Sequence, residues 1–354
     1  MWDMSVAQPV EVDQDVVDFA AVGGWMEDRG LPAGAFTRVQ ALGGGTQNIM
    51  LRFQRGGRDF VLRRGPKHLR AKSNDVIRRE ARLLTALDGT DVRAPRVIAA
   101  CQDESVIGAV FYLMEPIEGF NPQNELPPRY AEDPEARRLM GLSAVEAIAR
   151  LGAVDYTAVG LVDFGKPEGF LERQVSRWFG ELESYSANAG YPGPEIPGLE
   201  QVGEWLDRNR PARWTPGILH GDCHLANILF AYDEPRVAAL VDWEMSTIGD
   251  PLLDLGWQIA TRPDPGTTLA ALLGKLGAVG GLPTPAAMTE HYGRFSDRDL
   301  SAVPWYTVLA CFKLGIVLEG THARAFAGKA PKETGDFLHA ITLELFEKAH
   351  RLMA

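Results

Sequence analysis

The stretch GILHGDCHLANILF (217–230) places Asp222 and Asn227 between two apolar runs that are typical of buried strands. A second apolar run, VAALV (237–241), follows the turn-forming segment AYDEP and ends at Asp242. If the two runs pair as a hairpin about that turn, position 227 lies opposite position 242. The spacing therefore predicts that Asp222, Asn227 and Asp242 come together at the open end of the hairpin.

Two carboxylates and an amide in close proximity repel and desolvate one another unless a cation lies between them. Hard oxygen ligands of this kind favour Mg²⁺, which keeps several waters and shares phosphate oxygens. A carboxylate that does not bind the ion can accept the proton of a hydroxyl group. The residue types thus indicate a nucleotide phosphate site.

Two other interpretations of these polar residues stay open. Each residue alone is a common turn former or helix cap. His220, Cys223 and His224 could instead bind zinc, although their spacing matches no common zinc pattern and a fourth ligand is not evident.

A third carboxylate, Glu80, lies on the apolar face of a predicted helix that Ser73 can cap and that runs to about residue 87. An ionised carboxylate facing a core is costly unless it is paired. Arg63, on the predicted strand DFVLRR, is the cation that could pair with it and be presented to a phosphate. The alternative is that Glu80 lies at the edge of the apolar face and reaches water.

The segment GGGTQN (43–48) joins two predicted strands. Glycines let a backbone approach an anion and direct its N–H groups at it. This motif alone is weak evidence, because many hairpin tips are rich in glycine. The GK pair at 274–275 is not a P-loop, since a leucine follows where Ser or Thr is required.

The elements that must position these residues divide the chain into two parts. Alternating segments over 36–63, with further strands at 96–101 and 109–119, predict a small antiparallel sheet. Helical patterns dominate after Gly119 and are interrupted by the strand pair at 217–242. Helices are predicted at 14–29, 73–87, 133–151, 169–186, 198–209, 252–261, 266–276, 284–292, 303–327 and 333–352.

Composition limits the classes of function. Apolar residues make up 45% of the 354 residues and the net charge is −11, which argues against nucleic-acid binding because a phosphate backbone needs a basic face. Three separated cysteines form no disulfide framework, and the acidic N-terminus does not resemble a signal peptide, so we expect a cytoplasmic protein. The apolar run VLACFKLGIVLEG carries Lys313 and Glu319 and is expected to be too short to span a membrane.

The order of these motifs resembles the aminoglycoside phosphotransferase family, relatives of protein kinases. LHGDCHLANILF is similar to that family's catalytic loop, and DWE takes the place of the kinase DFG motif. The closer resemblance is to the kinase-like domain found fused to acyl-CoA dehydrogenases, through VLRRGP, VDWEMSTIGDPLLDLGW and FKLGIVLEGTHAR. The resemblance covers roughly 35–350 and implies an α+β, protein-kinase-like fold with two lobes, an N-lobe over 1–115 and a helical C-lobe over 116–354.

The resemblance also implies roles for individual residues. Asp222 would be the catalytic base, His220 would brace its loop, and Asn227 and Asp242 would hold Mg²⁺. Asp250 or Asp254 would anchor the catalytic loop from the helix that follows. The nucleotide would be bound by Gly43, Gly44, Gly45 and Thr46, by Arg63 in the place of the usual strand lysine with Glu80 as its partner, and by the hinge residues Met114, Glu115 and Ile117.

We therefore expect an ATP- or GTP-dependent, Mg²⁺-requiring phosphotransferase that acts on a hydroxyl group of a small metabolite, with an acyl or lipid-like acceptor favoured by the apolar C-terminal third. Three alternatives remain: an aminoglycoside phosphotransferase, a catalytically inactive nucleotide-binding protein, and a metal-dependent phosphate-ester hydrolase. An aminoglycoside pocket needs a dense acidic floor, which the sequence does not place. Candidates for shaping the acceptor site are Trp243, Glu244, Trp257, Trp305, Tyr306 and Glu319.

Overall fold

The N-terminal part of the protein is a five-stranded antiparallel sheet. The structure is a computed structural model that describes residues 17–42 and 48–354. The strand order is β1-β2-β3-β5-β4, and the glycine pair at 56–57 forms the tight turn between β2 and β3 with positive φ at both residues. The strands are β1 (Thr37–Ala41), β2 (Ile49–Arg55), β3 (Arg58–Arg64), β4 (Val97–Cys101) and β5 (Phe111–Met114).

The two faces of this sheet bury different helices. Helix α1 (Phe19–Glu27) belongs to an apolar cluster with Phe60 and Leu62 of β3, whereas Val61 belongs to the cluster that contains helix α2 (Ser73–Leu87). Successive strand residues point to opposite faces, so Arg63 shares the face of Val61. The alternation along β3 therefore directs this arginine toward α2 and the rest of the protein.

The remainder of the described chain is mainly helical and carries two small, two-stranded antiparallel sheets. One pairs β6 (Gly217–Leu219) with β9 (Thr247–Gly249), and the other pairs β7 (Ile228–Phe230) with β8 (Val237–Leu240). The helices are α3 (Pro128–Glu132), α4 (Pro134–Ala153), α5 (Gln174–Ser184), α6 (Leu199–Arg208), α7 (Leu252–Ala260), α8 (Thr268–Ala271), α9 (Gly274–Val279), α10 (Pro285–Tyr292), α11 (Val303–Phe326) and α12 (Lys332–Met353).

Helix α11 is the central helix of this second lobe. It packs against α7 and α12 and buries residues on most of its circumference. The sequence predicted an apolar run too short to cross a membrane, but the run belongs to a 24-residue helix. Within the described part of the chain, this is the one helix whose length and composition would allow it to span a membrane. In its most apolar stretch of 18 residues, 67% is buried inside the protein, as in the core helix of a folded domain.

The two-lobe α+β, kinase-like fold predicted from the sequence is confirmed, and local details differ. Ser73 is the first residue of α2 rather than its cap, and its hydroxyl accepts a hydrogen bond from the Arg70 N–H. The helix predicted at 266–276 is two short helices, and the second begins at Gly274, whose positive φ breaks the regular helical conformation. The lobe boundary near residue 115 stays a prediction, although β5 ends at Met114.

Candidate active site

Two loops lie side by side between the two small sheets, β6–β9 and β7–β8. The first connects β6 to β7 and carries Asp222, and the second connects β8 to β9 and carries Asp242. Because β6 pairs with β9 while β7 pairs with β8, the two connecting loops must lie side by side. The predicted gathering of polar groups at this end of the hairpins follows from that pairing.

The register of the hairpin differs by one residue from the prediction. Ile228 lies opposite Leu240, and the Val241 N–H donates to the Asn227 carbonyl at 2.9 Å, so position 227 faces 241 rather than 242. The pairing shifts within the hairpin, where β8 carries one extra residue in a bulge. Asp242 then takes a left-handed conformation, with φ of 66°, which turns its side chain away from the strand direction.

Asp222 and Asn227 are in direct contact. The Asn227 Nδ2 donates to the Asp222 carbonyl at 2.9 Å and to the Asp222 Oδ2 at 3.1 Å. Because the amide nitrogen is used in this way, the amide oxygen is presented on the other side of the group. Asn227 is buried, whereas the Asp222 side chain is about a quarter exposed, with 23% of its surface accessible.

The predicted Arg63–Glu80 ion pair is confirmed, and it reaches the second loop. Arg63 donates from Nε and Nη2 to the two oxygens of Glu80, both at 2.8 Å, and Nη2 also lies 3.1 Å from the Asp242 Oδ1. Glu80 additionally accepts the Trp243 N–H at 3.2 Å. Glu80 is 2% exposed, so the alternative in which it reaches water at the edge of its helix is wrong.

Negative charge is concentrated around this network. Burial and the nearby charge of Asp242 raise the pKa of Glu244 to about 7, against the influence of Arg63. Burial lowers the pKa of Arg63, but attraction by Glu80, Tyr112 and Asp242 outweighs it and leaves that pKa above its ordinary value. A site in which carboxylates raise one another's pKa is one that a divalent cation would relieve.

His220, on the first loop, contacts residues of the second loop in the protein interior. It is fully buried, its Nε2 lies 3.0 Å from the Val241 carbonyl, and its ring packs on Trp243 at 4.7 Å between centroids. Burial lowers the pKa of His220, so the ring is neutral and its Nε2–H donates to the carbonyl. The brace predicted for this residue is consistent with these contacts.

Asp254, rather than Asp250, holds the first loop. Its carboxylate accepts the backbone N–H groups of His220 at 2.6 Å and of Gly221 at 2.9 Å. Asp250 instead accepts from the Tyr306 hydroxyl and from the Leu252 N–H at 3.1 Å. Burial raises the pKa of both carboxyl groups.

Sequence reasoning missed Lys313, which lies behind the same loop. Its Nζ donates to the Gly221 carbonyl at 2.8 Å and lies over the indole rings of Trp257, at 4.3 Å, and Trp178, at 5.5 Å. Burial lowers the pKa of Lys313 to about 8, although Asp222 and Asp254 oppose that shift. A buried lysine in a helical apolar run could have marked it in the sequence, since such a group needs a partner.

The predicted nucleotide-binding residues are only partly described. Gly43, Gly44, Gly45 and Thr46 lie outside the described residues, in the connection between β1 and β2. Met114 ends β5, and the Glu115 N–H donates to the Arg96 carbonyl at 2.9 Å while its carboxylate pairs with Arg58. Ile117 follows, half-buried, in the connection to the helical lobe, so the three hinge residues are adjacent at the junction of the lobes.

The zinc alternative is not supported by the geometry. The His220 ring contacts Val241 and Trp243, and Cys223 is buried, with its sulfur accepting a hydrogen bond from the Gln258 Nε2 at 3.6 Å. Within the described part of the chain, the group of side chains spaced to hold a metal by His, Cys, Asp or Glu atoms lies elsewhere, around Glu319. The three residues proposed for zinc therefore serve as packing and loop contacts.

Several candidates for the acceptor site belong to the core instead. The Trp305 Nε1–H donates to the Leu206 carbonyl, and the Tyr306 hydroxyl bonds to Asp250. Glu319 is fully buried between α11 and α12. Trp243, Glu244 and Trp257 do lie beside the catalytic loop or its supports.

This fold and this site define a kinase-like phosphotransferase. The chain belongs to the APH phosphotransferase enzyme family, whose model matches residues 38–291. It is 30% identical over 311 residues to acyl-CoA dehydrogenase family member 11 of Homo sapiens, covering 87% of this chain and 39% of that protein. The chain thus spans about two fifths of that relative's length.

Two solved structures illustrate the shared fold. A candidate aminoglycoside phosphotransferase from Ralstonia eutropha JMP134 is 29% identical, with a TM-score of 0.77 over 95% of this chain and 99% of that chain. A thermostable mutant of aminoglycoside phosphotransferase APH(4)-Ia, in a ternary complex with AMP-PNP and hygromycin B, is 14% identical, with a TM-score of 0.57 over 91% and 97%. The second likeness concerns the fold alone.

Proposed function

We propose that this phosphotransferase moves the γ-phosphoryl group of ATP or GTP, with Mg²⁺, to a hydroxyl group of a small metabolite. One observation carries the proposal: a continuous set of contacts joins the loop of Asp242 to the buried Arg63–Glu80 pair at the junction of the lobes. Asp222 and Asn227 lie on the adjoining loop, which connects β6 to β7. The proposed base, the proposed metal ligands and the cation for phosphate thus belong to two neighbouring loops and to the Arg63–Glu80 pair that contacts one of them.

The residues present suit a magnesium ion. Asp242 offers a carboxylate and Asn227 an amide oxygen, both hard ligands, and they lie beside a group of carboxylates whose mutual repulsion a cation would reduce. When bound, Mg²⁺ would neutralise charge on the phosphate oxygens. Asp222 would accept the hydroxyl proton of the acceptor and orient its oxygen toward the phosphoryl group.

The nucleotide side of the site follows from the N-lobe. Glu80 fixes the plane of the Arg63 guanidinium, which would then face the phosphates, as arginine's fork suits phosphate geometry. The Gly43–Thr46 segment would cover the phosphates, and Met114, Glu115 and Ile117 would contact the base. The solved relative with AMP-PNP supports a nucleoside triphosphate as donor.

The acceptor that we favour is a hydroxylated acyl compound. This choice rests on the relative named as an acyl-CoA dehydrogenase family member, of which this chain matches about two fifths. The product of the proposed transfer would be a phosphate ester of the hydroxyl group on the acyl chain. Aminoglycosides remain the competing acceptor, supported by the names of the solved relatives.

The test is phosphate transfer from labelled ATP and GTP, with Mg²⁺, to a panel of hydroxyacyl compounds and aminoglycosides. We expect transfer to a hydroxyacyl compound and a loss of roughly 10²–10⁴-fold in turnover for Asp222→Asn, because a positioned base contributes that much. Asp233→Asn, an exposed aspartate in the β7–β8 turn, is the matched control and should keep full turnover.

Other outcomes separate the alternatives. Transfer to aminoglycosides alone would replace the acyl acceptor. Nucleotide-dependent thermal stabilisation without transfer to any compound would indicate a binding protein. Phosphate release to water that is independent of any acceptor would indicate a hydrolase. Turnover that Asp222→Asn leaves unchanged would contradict the assigned base.

A further inference from the structure

A second group of metal-competent side chains lies away from the candidate active site, between the two C-terminal helices. Glu319 and His322 are three residues apart on α11 and therefore share one face of that helix. His339 faces them from α12. Their ligand atoms all lie within 4.8 Å of one another.

The carboxylate is the centre of this group. Its Oε1 lies 3.0 Å from the His322 Nδ1, and its Oε2 lies 2.6 Å from the His339 Nδ1. The Tyr191 hydroxyl, from the connection between α5 and α6, donates to Oε1 at 2.8 Å. Glu319 is fully buried, and the two histidine side chains are 13% and 18% exposed, so the imidazoles connect the group to solvent.

The partners of this carboxylate are unlike those of Glu80. Within residues 17–42 and 48–354, neither a lysine nor an arginine pairs with Glu319: two imidazoles and a phenol surround it. The imidazole rings stack with centroids 4.3 Å apart, and Asp336 lies 3.9 Å from the His322 Nε2. A buried carboxylate next to two stacked imidazoles is a place where a cation would lower the free energy.

We infer that Glu319, His322 and His339 form a binding site for a divalent transition metal, and we choose Zn²⁺ as the ion with which to test it. Two imidazoles with one carboxylate are a donor set that suits Zn²⁺, Co²⁺ or Ni²⁺ rather than Mg²⁺. The ion would lie between the carboxylate and the two Nδ1 atoms, and each neutral imidazole would then carry its proton on Nε2. Metal–ligand bonds of about 2.0–2.2 Å require that the imidazoles move apart from the carboxylate and rotate out of their stack, because each ring binds a metal within its own plane.

The position of the site predicts a structural role. The ion would link α11 to α12 directly and would place Tyr191 close to the fourth coordination position, so that the α5–α6 connection is held as well. Asp336 would orient His322 through its other ring nitrogen, as a carboxylate commonly does for a metal-bound histidine. This site is independent of the phosphotransferase proposal, because it shares no residue with that site.

The experiment titrates the metal-free, full-length chain with Zn²⁺ by calorimetry in the presence of excess Mg²⁺. We expect one Zn²⁺ per chain, a rise in Tm on binding, and a Co²⁺ form with the visible absorption of a low-coordinate nitrogen and oxygen site. His339→Gln and His322→Gln should each weaken Zn²⁺ binding by roughly 100-fold or more, since even indirect partners of a metal site contribute about 10–100-fold.

Two controls separate this site from other sources of affinity. His68→Gln removes an exposed histidine of the N-lobe and should bind Zn²⁺ as the parent does. Asp242→Asn removes the candidate magnesium ligand and should also retain Zn²⁺ binding. The inference is overturned if the parent chain binds no Zn²⁺, if both histidine variants bind it as tightly as the parent, or if Asp242→Asn abolishes it.

Discussion

Two regions of this molecule bury a glutamate in different ways. At the junction of the lobes, Glu80 is held by the permanent charge of Arg63, which also reaches Asp242. Between α11 and α12, Glu319 is held by a phenol and two imidazoles. The first arrangement fixes a charge at the site of the proposed chemistry, whereas the second surrounds the carboxylate with groups that carry no permanent charge.

The comparison extends to a buried cation. Lys313 meets a carbonyl and two indole rings rather than a directly bonded carboxylate, and burial accordingly lowers its pKa. Burial lowers the pKa of Arg63 but attraction by Glu80 outweighs it, whereas burial raises the pKa of Glu80 and Arg63 opposes that shift only in part. At Lys313 the opposing carboxylates, Asp222 and Asp254, make no direct hydrogen bond to the ammonium group, and burial prevails.

The largest effect should come from breaking the charged pair. Glu80→Ala leaves Arg63 buried without its bidentate partner, and we expect a loss of about 3–5 kcal/mol in the free energy of unfolding. Chemical denaturation measures this loss. Glu135→Ala, which removes an exposed partner of Arg138, is the control and should change stability little. If Glu80→Ala lowers the free energy of unfolding as little as Glu135→Ala does, the buried Arg63–Glu80 pair does not stabilise the fold as expected.

An intermediate effect is expected from Lys313, through pH. Its folded-state pKa, about 8, lies below the ordinary value of 10.5, so between these values the unfolded chain binds more protons. The free energy of unfolding should therefore rise with pH in that window, by at most about 1.4 kcal/mol per pH unit from this group. The groups that face Lys313 are Asp222, Asp254 and Arg177.

Lys313→Met removes this contribution while retaining a long apolar side chain. Urea unfolding of both proteins at several pH values from 7.5 upward measures the difference in slope, with the parent rising more steeply. Equal slopes would mean that Lys313 keeps an ordinary pKa, and that its neutral partners compensate for burial as fully as a counter-charge does.

The smallest effect should come from one neutral donor to Glu319. Tyr191→Phe removes a single hydrogen bond at 2.8 Å, and we expect a loss of about 0.5–1.5 kcal/mol in the free energy of unfolding. Tyr232→Phe is the matched control, because its hydroxyl donates to Glu125 at the surface. A loss for Tyr191→Phe that equals the loss for Glu80→Ala would remove the distinction between the two regions.

Local pattern was sufficient for much of the fold and of the candidate site. The alternation along β3 and the helical spacing around Glu80 place Arg63 and Glu80 face to face, and the pair forms as expected. Pattern was insufficient where a single residue changes the geometry. The β7–β8 turn is centred one residue earlier than predicted, since Phe230 pairs with Val237, and the bulge in β8 recovers only one of the two positions lost; no local preference indicates either feature.

By itself, the sequence determined the order of elements, the two-lobe arrangement and the residue types that gather at the loops, because these follow from local periodicity and from the cost of burying charge. Only the tertiary structure decided that Asp254 rather than Asp250 holds the β6–β7 loop, that Lys313 supports it, and that His322 and His339 meet on Glu319. Apart from the contact between His322 and Glu319 on one helix, these contacts join residues 20 to 92 positions apart. Such pairings depend on how whole helices pack, which no short stretch of sequence specifies.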